Sequence, residues 1–236
     1  IDNFYNDALM VKRGVRKMNS VFEQLANWID YTYETKVLSI YYDEIGKDKR
    51  PRLNIILENS KDSNKFRDSE GYYNVLIQHQ IITKFTQILE IQRSNKLTFF
   101  EKLKVSFFNK KYNTINLLII STEFETYNRE RISGLIPNKE FEILKTELTL
   151  PEVYSILWYG DTATLILNTD VQITEYKING KENYIRNTIY ESFKKYDEFD
   201  YIKPNDNILC LESLENINRK YGSFEYYLRN GIRSCV

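Results

Sequence analysis

Met18, Val21, Phe22, Leu25, Trp28 and Ile29 recur at steps of three and four, which sets them on one helical face. The pattern then changes to two β-favouring runs, 36–43 and 52–58, separated by the charged segment Gly46 to Pro51. A chain that passes from helical spacing to a strand pair has to bury a helix stripe against a sheet. This change of period constrains the fold more than any other feature. The helix reads over residues 6 to 33, weakened in its middle by Gly14, and the two runs read as a hairpin.

The same reading carries along the rest of the chain. The polar stretch 59–71 is a candidate mobile loop, long for a connection inside a compact domain. A helix with a broad apolar girdle is expected over 72–93, and 97–108 leans towards helix. Residues 114–121 form a short continuous apolar run expected to be a central strand. Pro137 and Asn138 start a helix that Pro151 ends. Strands are expected at 153–159 and 162–168, meeting at Gly160-Asp161, with a third at 171–178 before Asn179-Gly180, so that a meander results. A further helix carries Ile185, Ile189, Phe193 and Tyr196, followed by a strand over 207–211 and two short helices capped by Ser213 and Ser223 and ended by Gly222 and Gly231. The class is α+β: one domain over 1–236, with a mostly antiparallel sheet (a hairpin plus a three-stranded meander) packed on several amphipathic helices. Each half holds a strand pair beside a helix, but no internal repeat is read, since order and residues do not match.

Composition excludes several function classes. Thirty-three basic residues balance thirty-three acidic ones, so there is no general field for nucleic acid or an anionic membrane. The run Lys47 to Arg52 reads as a solvated hairpin tip. Two cysteines, Cys210 and Cys235, make no disulfide framework, and with a single histidine the usual zinc spacings are missing; a reducing, cytoplasmic setting fits best. No apolar stretch approaches the ~20 residues that span a bilayer. Ile1 is not an initiator methionine, which points to a trimmed chain and leaves an upstream signal or anchor open. No phosphate-binding glycine loop, EF-hand or paired-histidine zinc motif occurs, and no metal or cofactor is expected. His79 sits on a helix one turn from Val75 and Ile82 and reads as a partly buried structural residue.

Two local patterns carry chemistry. Asp161 followed by Glu175-Tyr176-Lys177, read as neighbouring strands, resembles the metal-dependent nucleases of the PD-(D/E)xK type. The resemblance implies that Asp161 and Glu175, with Asp170 as a further candidate, would hold Mg²⁺ while Lys177 orients the attacking water. The segment Tyr221 to Leu228 resembles a helical tail of some protein-tyrosine-phosphatase-like proteins, but neither cysteine has an arginine six positions on, so the phosphatase cradle is missing.

Aromatic residues make up 14% of the chain, with 19 Tyr and 13 Phe, which biased codon usage accounts for most simply. Tyr also suits half-wet binding positions. Paired tyrosines at Tyr41-Tyr42, Tyr72-Tyr73 and Tyr226-Tyr227 are the candidate binding residues; in a strand adjacent residues face opposite sides, so one member of Tyr41-Tyr42 can face the core and the other out. The plainer reading makes most of them core or rim residues. The function expected is non-enzymatic protein binding, in its specific form a small bacterial immunity or antidote protein that neutralises a toxin, with the metal-dependent nuclease as the alternative.

Overall fold

A computed structural model describes residues 3–96 and 112–230. By its internal contacts the chain forms two compact units, 1–126 and 127–236. The fold is α+β, as the change of period demands. No described helix is long and apolar enough to cross a membrane.

In the first unit the stretch read as one helix is two, α1 (Asn3–Lys12) and α2 (Ser20–Tyr33). Gly14 breaks them with a φ of 70°, and the Asn19 side chain restarts the helix by accepting from Val21 N at 3.0 Å. The hairpin follows as expected, β1 (Val37–Ile45) against β2 (Arg50–Leu57). Residues 59–71 are not a bare loop. They contain α3 (Ser60–Ser63) and a 3₁₀ turn (Asn64–Phe66), and Phe66 is fully buried in the core with Tyr33 and Tyr73 rings beside it. One aromatic side chain is enough to pin a polar segment, because its burial alone contributes about 2–3 kcal/mol.

α4 (Val75–Lys96) starts at Asn74, whose side chain accepts from Leu76 N at 2.9 Å. Ile81, Phe85, Ile88 and Leu89 pack on α2 and on the β2 face carrying Leu53, Ile55 and Leu57. The expected helix over 97–108 lies largely outside the described residues. β3 (Leu118–Glu123) is the strand expected near 114–121, but it takes an edge and runs parallel to β2, giving the order β1-β2-β3. α5 (Phe124–Leu135) follows directly.

The second unit is built from α6 (Asn138–Leu148), the hairpin β4 (Val153–Tyr159) and β5 (Thr162–Leu167), α7 (Asp170–Ile178), α8 (Lys181–Lys194), β6 (Leu209–Ser213), α9 (Leu214–Tyr221) and α10 (Phe224–Asn230). The meander is corrected here: 171–178 is helix α7, and the third strand is β6, parallel to β5. Thr169 and Gln172 form a capping box that commits the segment to helix before its alternating apolar residues can act as a strand. Ser213 caps α9 through Asn216 N at 2.9 Å, Gly222 ends it with a φ of 77°, and Ser223 caps α10. Gly231 and Cys235 lie outside the described residues.

The two units repeat one architecture, which the sequence reading had not seen. Both sheets place the second hairpin strand in the middle with a parallel third strand beside it. Both hairpins carry a register shift at the same place, between Val37 and Ser39 opposite Leu57 and between Val153 and Ser155 opposite Leu167. Ile55 pairs with Ile40 and Ser121, and Leu165 pairs with Ile156 and Leu211. Beyond the third strand the residues echo as well: Phe124-Glu125 and Asn128-Arg129 match Leu214-Glu215 and Asn218-Arg219. Glu125 N donates to Glu58 O at 3.1 Å and Glu215 N to Asn168 O at 3.3 Å. Each glutamate also turns its side chain to the helix after the central strand, Glu125 accepting from Ser60 N at 2.9 Å and Glu215 from Asp170 N at 3.1 Å.

Phe66→Ala should cost about 3–5 kcal/mol in urea unfolding, while Tyr72→Ala six positions on, at a residue that is 69% exposed, should stay within about 0.5 kcal/mol. Gly160 has a φ of 58°, and a Cβ there would meet the Glu130 backbone at 3.1 Å. Gly160→Ala should therefore lower stability by about 1–3 kcal/mol and lower the midpoint of thermal unfolding.

Candidate functional site

The nuclease set does not assemble. Asp161 lies in the β4–β5 turn, where its carboxylate accepts from Arg129 Nε at 2.5 Å, and Arg129 also pairs with Asp206 at 2.9 Å. Glu175 and Lys177 are exposed residues of α7, which begins beyond the opposite end of β5. Six residues of extended chain, about 20 Å at ~3.3 Å each, separate the turn from that helix. Asp170, at the start of α7, is held by the Ser213 hydroxyl and by Arg219 at 3.1 Å, and the hydroxyl first and the guanidinium next hold its carboxyl below the usual range. Among the described residues no three His, Cys, Asp or Glu side chains gather as a metal would require. His79, expected to be partly buried, is exposed on α4.

Two of the tyrosine pairs split into an inner and an exposed member although neither lies in a strand. Tyr227 is buried against Phe224 and Tyr221 while Tyr226 is exposed, and Tyr72 is exposed while Tyr73 packs beside Phe66. Burial pushes the Tyr73 hydroxyl well up. Tyr41 and Tyr42 border a cleft. It measures about 410 Å³ and lies in the first unit along β1.

The hairpin register explains how the cleft is built. Tyr42 stands opposite Leu53 on the core face, its ring edge-on to Tyr112 at 5.1 Å and its hydroxyl accepting from Asn113 N at 2.9 Å. Tyr41 stands opposite Asn54 on the other face, where α1 lies and the Phe4 ring approaches to 6.4 Å. Asp7 and Val11 of α1, Arg16 to Asn19 of the connection, Phe22 of α2 and Ser39 to Tyr42 complete the walls. Arg16 pairs with Asp7 yet keeps more than half of its side chain exposed. The composition is an aromatic floor with a charged rim, in which cations outnumber the carboxylate.

Sequence reasoning missed the basic residues of this rim. Lys12, Arg13, Arg16 and Lys17 fall within six positions with no acid among them, whereas the Lys47 to Arg52 segment, read as a hairpin tip, carries as many cations but also Asp48. Nor could periodicity show that Tyr41 and Tyr42 border an opening, because the opening depends on where the α1–α2 connection crosses β1.

α1 is fastened by Lys12, whose ammonium group pairs with Glu58 at the end of β2, and Lys36 reaches the other oxygen of that carboxylate at 2.5 Å. Burial pushes the Glu58 carboxyl up, but the two ammonium groups more than offset it, and its pKa falls below the ordinary 4.5. A carboxyl depressed on folding contributes its full stability above the unfolded value and loses it as pH falls through the folded value. Unfolding free energy measured from about pH 6 down to about pH 3 should therefore fall less steeply in Glu58→Gln than in the parent chain. Compared with protein-family models, curated proteins and solved structures, the chain matches none.

Proposed function

We propose that this chain acts by binding another protein, in the manner of an antidote that neutralises a toxin by occluding it. The observation that carries the reading is the β1 cleft, where Tyr41, Tyr42 and Tyr112 line a concave surface rimmed by Arg16, Lys17 and Asp7. Interface centres are enriched in Tyr and Arg and ringed by polar groups, because a large rigid ring loses little conformational entropy on binding while the rim keeps water out. The cleft has that anatomy. Exposed Tyr72, Val75 and Leu76 at the start of α4 add a second apolar surface in the same unit.

The proteins encoded beside this gene are the natural candidates for the partner, since an antidote is ordinarily carried next to its toxin. Co-purification with each neighbour, read by size-exclusion chromatography with light scattering, should recover a stoichiometric complex with one of them, and co-expression should relieve that neighbour's toxicity. Tyr41→Ala should weaken the complex about tenfold to a hundredfold without unfolding the chain, as for a centrally placed interface tyrosine. Failure of every neighbour to bind, or a complex indifferent to Tyr41, would overturn the reading.

A further inference from the structure

α4 is buried along one side and bare along the other. Ile81, Phe85, Ile88 and Leu89 face the core, whereas Leu76, His79, Thr83, Gln87, Glu90 and Ser94, spaced by three and four, are exposed along the opposite side. Leu76 is 73% exposed, and Val75 and Ile91 flank the stripe, also exposed. From Tyr72 to Leu89 the one charged residue is Lys84, in a chain of which 28% is charged, and Lys84 turns aside to lie over the Trp28 ring at 5.9 Å. A solvated helix face ordinarily carries charge. Exposed aliphatic residues gathered on an uncharged face mark a surface that associates.

The two ends of this stripe are complementary. Gln87, Glu90, Ile91 and Ser94 stand at i, i+3, i+4 and i+7 and border a hollow of about 380 Å³. Four residues so spaced form the hole that receives one side chain of a facing helix. Leu76 is a side chain of the kind that fills such a hole, and it lies about four turns, roughly 21 Å, towards the start of the same face. A two-fold axis crossing α4 at Thr83, midway between Leu76 and Glu90, sets a second α4 antiparallel to the first and brings each Leu76 over the other's hollow. Both contacts then form at once. Thr83 meets its own counterpart at the axis, and His79 of each copy stands level with Gln87 of the other, one turn from its Glu90.

We propose that α4 is a self-association surface: two copies of this chain pair antiparallel about Thr83, with Leu76 of each seated among Gln87, Glu90, Ile91 and Ser94 of the other. A second copy is the occupant because the stripe supplies both the knob and the hole, at positions that one two-fold axis relates. A face almost without charge also offers nothing to select a charged partner. The surface shares no residue with the lining of the β1 cleft and does not rest on the binding of another protein. A single helix pair buries less than a standard interface, below about 1,200 Å² in total, so the dimer is a weak one, with a Kd of about 10 μM to 1 mM.

Sedimentation equilibrium of the full chain, from about 10 μM to about 1 mM, should show a monomer–dimer equilibrium. Leu76→Glu, at an exposed position, sets a carboxylate against Glu90 of the other copy and should weaken the dimer at least about tenfold with an unchanged circular dichroism spectrum. Tyr41→Ala should leave it unchanged. In a chain carrying Cys210→Ser and Cys235→Ser, Thr83→Cys should form a disulfide-linked dimer on mild oxidation, because the axis brings the two positions within disulfide reach. Gln24→Cys, also exposed but on α2, should not. A chain that stays monomeric at about 1 mM, a dimer that Leu76→Glu leaves intact, or cross-linking no faster at position 83 than at position 24 would overturn the proposal. A monomeric chain in which Leu76→Glu instead weakens a complex with another protein would give the face to that protein, and the proposal would fall with it.

Discussion

Each unit depends on how its central strand ends. The carbonyl of the residue after that strand, Glu58 or Asn168, accepts the N–H of a glutamate in the helix after the third strand, and the same glutamate's carboxylate accepts from the residue that opens the helix after the central strand. Two chain segments leaving a sheet at one end would otherwise present unpaired backbone donors. One acidic side chain serves both, and a charge-assisted bond of this kind contributes about 1.5–3 kcal/mol where it is shielded and less where water reaches it. The constraint fixes where the parallel third strand must stop and so fixes the register on that side of the sheet.

The cleft follows from the opposite side of the first sheet. With β3 taken up on one flank of β2, β1 is left as an edge, and its two faces are walled by α1 and α2. Lys12 is what ties α1 to the end of β2, at the very residue whose backbone takes part in the strand-end junction. Glu58 thus couples the wall of the cleft to the end of the sheet. Its side chain holds α1 and its main chain holds α5.

Both hairpins could be read from the sequence because alternation and turn residues are local signals, and Gly160-Asp161 and Gly46 stand where the turns require them. Helices α6 and α8 were legible for the same reason, through their starts and their apolar spacing. The segment 171–178 was misread because Thr174, Tyr176 and Ile178 alternate with Glu175 and Lys177 as in a half-exposed strand, although Thr169 and Gln172 spelled a helix start. Residues 59–71 looked mobile because the eleven polar residues of the segment outweighed its one Phe66, whose partners Tyr33 and Tyr73 lie outside it. The repeat was hidden for a related reason: what recurs is pairing register, and only a few side chains at the strand ends recur with it. Of the site, the sequence offered Tyr41 and Tyr42 but neither the edge they border nor the basic rim, since both depend on contacts between segments far apart in the chain.

The parallel third strand also sets an order on folding. A hairpin closes over a short turn, whereas β3 can join β2 only after the chain between Leu57 and Leu118 has looped back, and β6 only after the chain between Leu167 and Leu209 has done so. Closure entropy grows only with the logarithm of loop length, so the longer connection of the first unit costs just a few tenths of a kcal/mol more than that of the second. Both sheets therefore begin as two strands and gain their third late, and until it arrives the central strand keeps one open flank, which the third strand then covers.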